Sequence, residues 1–250
     1  MRYFIHLAYN GTTFKGWQLQ QNTDETVQGY INRALSILLK EEINTMGCGR
    51  TDSGVHARDF YAHFDCENPI EDKISLVFKI NKFLNQNIVV YDIKTVNENA
   101  NARFDALSRT YQYFINQYKN PFENEFSYFL YGHLDEKAMN QACELLIGNN
   151  DFVAFSKTME NIDSTFCNLM QAEWQRNGHN LVFTIKANRF LRNMVRAIVG
   201  TLIPIGQNKI EPNSILNILH SKSRSNAGIS VPGNALFLTK VEYPENIFKL

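Results

Sequence analysis

Two kinds of segment follow one another along this chain in no regular order, and this constrains the fold more than any other feature. In one kind apolar residues alternate singly; in the other they recur every three or four positions. Tyr3 to Tyr9, Ile43 to Cys48, Ile88 to Val96, residues 107–118, Leu181 to Lys186 and Leu236 to Tyr243 read as strands. Phe60, Ala62 and Phe64 alternate with Tyr61, His63 and Asp65 and add another. Val27, Ile31, Ala34, Leu35 and Leu38 have helical spacing, with Asp24 and Glu25 at or before the first turn. Ile74 to Phe83, Lys137 to Ile147, Asn188 to Leu202 and Asn213 to His220 are the other predicted helices. A doubly wound parallel sheet requires strict alternation of strand and helix, so this order predicts an α+β fold with a largely antiparallel sheet. The polar run Asn97-Glu98-Asn99-Ala100-Asn101 marks a seam and predicts two parts, 1–104 and 105–250.

Composition enters next, through charge. The 250 residues carry 25 Lys+Arg against 25 Asp+Glu, a balance that argues against a polyanionic partner. Counted in blocks, the zero dissolves. Residues 120–173 hold two basic and nine acidic side chains, whereas residues 174–224 hold eight basic and one acidic. Opposed blocks point to a polyanion-binding face, or to segments that neutralise one another. With 44% hydrophobic residues, 18 Phe and 11 Tyr, intrinsic disorder is excluded. Cys48, Cys66, Cys143 and Cys167 are scattered, with no pair or histidine at metal-ligand spacing, so reduced thiols in a cytoplasmic protein are expected. The first residues lack the apolar stretch of a signal peptide. The most apolar segment, Ala197 to Ile205, is far short of the ~20 residues that cross a bilayer, so no membrane association is expected.

Gly49-Arg50-Thr51-Asp52-Ser53-Gly54-Val55-His56-Ala57 is the most informative stretch. Two glycines bracket a carboxylate between strand-like segments, a pattern that presents a side chain on a sharply turned backbone. A guanidinium from Arg50 near Asp52 would favour the ionised carboxylate, fitted to act as a nucleophile or to stabilise a cationic centre. Two other readings stand beside this one. Asp52 can simply cap a turn, and Asp52-Ser53-Gly54 matches the tripeptide of aspartic proteases, although no second copy occurs in the chain.

Arg189, Arg192 and Arg196 are three and four apart, which predicts one face of the helix from Asn188 to Leu202; Leu191, Val195, Ile198 and Leu202 form another. No acidic residue occurs between Trp174 and Ile210 to pair with the arginines locally. Their face is therefore solvated or meets an anion, and Arg suits planar contacts with phosphate. In the strand over residues 107–118, Arg109, Tyr111, Tyr113 and Ile115 share a side. Tyrosine beside arginine offers a stacking surface for a nucleobase, and ordinary amphipathic packing accounts for the same pattern.

Taken together these residues resemble the TruA family of tRNA pseudouridine synthases. Residues 47–57 resemble its catalytic loop, and Tyr9-Asn10-Gly11 with Gly16-Trp17-Gln18-Leu19-Gln20 its first strand and loop. Ala102-Arg103-Phe104-Asp105-Ala106 with Arg109-Thr110-Tyr111 resembles its central tyrosine strand. Ala187 to Arg196 with Gly200-Thr201-Leu202 resembles its C-terminal helix, and Leu236-Phe237-Leu238 its closing strand. The matches run in order over nearly the whole chain. The resemblance implies that Asp52 is the catalytic carboxylate, Tyr111 the aromatic packed on the target base, and Arg192 the partner of the aspartate. It also implies that Arg50 positions a flipped nucleotide, that Leu236 lines the uracil pocket, and that Arg189, Arg196 and Arg103 bind substrate. Its further implications are two ferredoxin-like halves flanking a cleft, a homodimer, neither metal nor organic cofactor, and uridines 38–40 of the tRNA anticodon stem–loop as substrate. The chain departs from the family pattern at Asn101, where a His often stands, at Cys167, where an Arg is common, and in the less regular segment 227–235.

Overall fold

The opening alternation forms β1 (Arg2–Tyr9), followed by α1 (Val27–Leu39), β2 (Met46–Gly47), β3 (His56–Asp65), α2 (Lys73–Phe83) and β4 (Ile88–Thr95). The structure, a computed structural model, describes residues 1–157 and 164–248. It divides into two compact units, Met1–Leu107 with Leu238–Leu250, and Ser108–Phe237. In the first, the strand order is β4-β1-β3 with β2 also on β3, and these pairings are antiparallel. Period-two alternation places Tyr3, Ile5, Leu7 and Tyr9 of β1 and Phe60, Ala62 and Phe64 of β3 among the buried residues. The predicted stripe of α1 is buried at Val27, Ile31, Ala34 and Leu35. Its first turn is capped by Thr26, whose hydroxyl accepts the Gly29 N–H at 3.2 Å. Asp72 caps α2 in the same way, accepting from Ser75 N at 2.8 Å.

The closing strand, β10 (Leu236–Glu242), lies beside β3 in the sheet. Its residues from Leu238 onward belong to the first unit, whereas the sequence division kept all of 105–250 together. The bonds that bring it there join residues far apart in the chain. Val241 N donates to the Asp59 carboxylate at 2.7 Å, Leu107 N to the Glu242 carbonyl at 2.8 Å, and the Tyr243 hydroxyl to the Ala102 carbonyl at 2.6 Å. Tyr243 also meets Phe4 and Tyr61 edge-on, each at 5.3 Å between ring centroids.

The second unit contains β5 (Ser108–Asn116), β6 (Tyr128–Phe129), α3 (Glu136–Glu144), β7 (Gly148–Asp151), β8 (Phe166–Asn177), β9 (Asn180–Ala187), α4 (Met194–Gly206) and α5 (Ser214–Ser221). Its strands run in the order β5-β9-β8-β7, antiparallel throughout, with β6 parallel to β5. The predicted α+β class with a largely antiparallel sheet is the class observed, with five α-helices among the described residues.

The short strands β6 and β7 are not among the predicted elements, and two longer elements of the second unit also differ from expectation. β8, a strand of 12 residues, has no counterpart in the sequence reading. A bulge between Leu169 and Gln171 shifts its register, so the buried positions run Cys167, Leu169 and then Ala172, Trp174. The alternation changes phase midway and the period-two signal cancels. The helix expected over 188–202 begins only at Met194. Asn193 stands in the left-handed region, φ 66°, and a right-handed helix does not continue through such a residue.

All four cysteines are buried and none is in a disulfide, and burial pushes the Cys66 and Cys167 thiols up to about 11. Among the described residues, no helix is long and apolar enough to cross a membrane. Two acids of the acidic block, Glu160 and Asp163, lie outside the described residues.

Candidate active site

The carboxylate loop of the first unit is tied down on both sides of Asp52. Thr51, buried, accepts the Trp17 N–H at its carbonyl (3.2 Å), and its hydroxyl lies 2.9 Å from that of Tyr9. Beyond Asp52, the Phe14 carbonyl accepts from the Ser53 hydroxyl at 3.2 Å and from Gly54 N at 3.4 Å. Val55 N returns to the Asp52 carbonyl at 3.1 Å, so the turn is closed through the backbone, with Gly54 supplying a φ of 77°.

The floor of this loop explains the glycines of residues 9–17. At Gly16 (φ 97°) an added Cβ would stand 2.5 Å from the Thr51 carbonyl oxygen. At Gly11 it would stand 2.0 Å from the Val55 oxygen, while Gly11 N donates to His56 Nδ1 at 3.0 Å. Trp17 is buried, its ring 4.1 Å from that of Phe60. Any side chain at Gly47 would run into both rings. The result is a rigid mount that leaves Asp52 half-buried and Arg50 exposed.

Arg103, also of the first unit, is exposed and lies over the Phe104 ring at 5.3 Å. Asn101 organises its turn: the carboxamide oxygen accepts from Arg103 N (2.9 Å) and Phe104 N (3.2 Å), and Asn101 N donates to Asp105 (2.7 Å). The asparagine that departs from the family pattern is thus the cap of this turn.

In the second unit, Tyr111 on β5 is buried and meets Phe190 edge-on at 5.1 Å and 88°. Tyr113, two residues along the same face, is core: it is fully buried and its hydroxyl donates to the Pro232 carbonyl at 3.0 Å. Phe190 belongs to the loop 188–193, which also carries Arg189 (half-buried) and Arg192 (exposed). Arg109 fixes the start of that loop through Nη1 to the Asn188 carbonyl at 2.7 Å. Asn193 fixes its end, donating to the Ser230 hydroxyl at 2.6 Å.

The three arginines therefore do not share a helix face. Only Arg196 lies on α4, where its Nε donates to the Val231 carbonyl at 2.7 Å and its own carbonyl accepts Val231 N at 3.3 Å. The irregular segment 227–235 is pressed onto α4 at Gly200, where a Cβ would come within 1.8 Å of the Ile229 oxygen. Leu236 follows this segment and is buried.

The structure thus joins Tyr111 to the arginine loop through Phe190, a residue given no role in the sequence reading. Tyr9 and Thr51 join the carboxylate loop as well; the one sequence signal for Thr51 is its place beside the glycine-bracketed carboxylate, and Tyr9 carries none. Among the described residues, no three His, Cys, Asp or Glu side chains are grouped to hold a metal ion.

Comparison with known proteins gives these parts a class. A family profile described as tRNA pseudouridine synthase matches residues 142–244, which contain β8, β9, the arginine loop and α4. The chain is 49% identical to tRNA pseudouridine synthase A of Parabacteroides distasonis, over 99% of this chain and 98% of that one. It is 45% identical to the tRNA pseudouridine synthase A of Bacteroides thetaiotaomicron (99% and 92% covered) and 37% identical to that of Chlorobaculum tepidum (96% of each). The chain belongs to the tRNA pseudouridine synthase A family and is an isomerase. The aspartic-protease reading of Asp52-Ser53-Gly54 falls away with that membership.

Proposed function

We propose that this enzyme converts uridine to pseudouridine at positions 38–40 of the tRNA anticodon stem–loop, with Asp52 as the catalytic carboxylate. The observation that carries this reading is the mount of Asp52: a carboxylate anchored on both sides, by a buried bond at Thr51 and by the Phe14 carbonyl at Ser53 and Gly54, on a loop closed by its own backbone. The relatives' shared name, tRNA pseudouridine synthase A, supports tRNA as the substrate.

The reaction breaks the C1′–N1 bond, turns the uracil, and joins C5 to C1′; the proton lost from C5 is balanced by the one gained at N1. No oxidant and no external energy source are needed. C1′ gains positive character as N1 departs, and an ionised carboxylate serves that event by attack at C1′ or by assisting glycal formation. The base has to leave its stack to be reached. In this reading Tyr111 packs on the extruded base, Leu236 lines its pocket and Arg50 positions the nucleotide. Arg192 favours the ionised form of Asp52, and Arg189, Arg196 and Arg103 contribute to RNA binding.

The reading includes a homodimer and two ferredoxin-like halves. The order β4-β1-β3-β2 of the first unit, with α1 and α2 as its two crossovers, supports the latter for that unit. Carbodiimide–primer-extension mapping of tRNA treated with the enzyme tests the reaction and its position together. New stops are expected at uridines 38–40; stops elsewhere, or none, contradict the proposal.

A further inference from the structure

We propose that Tyr9 is a positioning residue for the reaction, acting through Thr51 to fix the direction in which Asp52 points. The inference rests on the reading of Asp52 as the catalytic carboxylate.

Thr51 and Ser53, the neighbours of Asp52, are held by different kinds of bond. On the Ser53 side, both contacts end on one acceptor, the Phe14 carbonyl, at 3.2 and 3.4 Å. On the Thr51 side, the carbonyl is held by Trp17 N at 3.2 Å and the side chain by the Tyr9 hydroxyl at 2.9 Å. The tighter hold is therefore a side-chain pair, and it is buried: Tyr9 is 4% and Thr51 7% exposed. In that setting the hydroxyl pair is not exchanged for water, and its geometry is enforced.

Tyr9 is itself immobilised. It ends β1, opposite Ala57 of β3 and Ile88 of β4. Its ring lies edge-on to Phe60 at 5.5 Å. The bond thus carries the register of the sheet to the residue directly before the carboxylate. A phenol is required at position 9 because a Phe fills the same space but leaves the buried Thr51 hydroxyl without this partner. The fold has other anchors for the loop, in the Trp17 and Phe14 backbone contacts, so losing the hydroxyl changes aim rather than folding. Misplacement of a reacting group by about 1 Å costs on the order of a hundredfold in rate; for a single lost anchor among several we expect about tenfold.

The test is single-turnover pseudouridine formation at saturating tRNA, with tRNA affinity and the thermal midpoint measured alongside. Tyr9→Phe and Thr51→Val are each expected to lower the single-turnover rate about tenfold, with tRNA affinity near wild type and the midpoint lowered by only about 2–6 °C, the cost of one unpaired buried hydroxyl in a protein that stays folded at the assay temperature. The double variant is expected to be no slower than the slower single, because both remove the same bond. Thr51→Ser, which restores a hydroxyl, is expected to recover most of the rate. Rates within twofold of wild type, multiplying losses in the double variant, or a loss confined to affinity would each overturn the proposal. Asp52→Asn in the same assay separates the two claims. If it keeps wild-type turnover, the reading of Asp52 fails and takes this inference with it. If it abolishes turnover while Tyr9→Phe does not slow it, only the positioning role fails.

Discussion

The loop that carries Asp52 and the segment that carries Arg189 and Arg192 are both short polar connections beside a strand end, but they are held differently. The first is gripped along its length by an earlier segment of chain, residues 9–17, with glycines where no Cβ fits. The second is held by scattered contacts, with Arg109 on the Asn188 carbonyl, Phe190 against Tyr111, Lys157 N on the Arg192 carbonyl at 3.1 Å and Asn193 on Ser230, and the Arg192 side chain stays exposed. A carboxylate that must meet one carbon atom gains from a rigid mount. Arginines that follow an RNA backbone gain from reach. Under the proposed function the two regions answer those different requirements.

The contrast can be broken by substitution, the largest effect coming from the gripped loop. Gly16→Ala places a Cβ against the Thr51 carbonyl at a φ that side chains rarely adopt. A loss of about 2–4 kcal/mol in urea unfolding is expected. A change under about 0.5 kcal/mol, the size of an ordinary surface substitution, would show that the loop is not rigid there.

Asn193 gives the next largest effect and a change of sign. At φ 66° Ala is expected to cost about 1–2 kcal/mol, through backbone strain and the lost Ser230 bond, with Asn193→Gly the more stable of the two variants. Within a continuous helix over 188–202 the order would reverse, with Ala above Gly by about 1 kcal/mol.

The arginines themselves give the smallest effects. Arg196→Ala is expected to lower stability by about 1 kcal/mol, because its Nε serves the Val231 carbonyl. Arg189→Ala is expected to leave stability within about 0.5 kcal/mol. It should also reduce the slope of log affinity for tRNA against log salt by about 0.7, the share of one phosphate contact. An unchanged slope would make Arg189 a merely solvated residue.

The same contrast explains what the sequence disclosed. The glycine-bracketed carboxylate and the alternation of β1, β3 and β5 were legible because each is a local constraint written in adjacent residues. The arginine segment was misread because Asn193 counts as an ordinary position in a three-and-four spacing, while its left-handed backbone ends the pattern. β8 escaped because a bulge near Met170 reverses the phase of its alternation. The return of the closing strand to the first unit rests on Asp59 and Ala102, far from it in the chain, and no local pattern announces such partners. Tyr9 and Thr51 were visible as residues, but their bond spans 42 positions.

The central claim, that the gripped carboxylate carries the chemistry, is tested most directly by tritium release from [5-³H]uridine tRNA with wild-type enzyme and Asp52→Asn. The account predicts release by wild type, and release at the no-enzyme level by a variant that remains folded and still binds tRNA. Release by Asp52→Asn at a rate near that of wild type would contradict it.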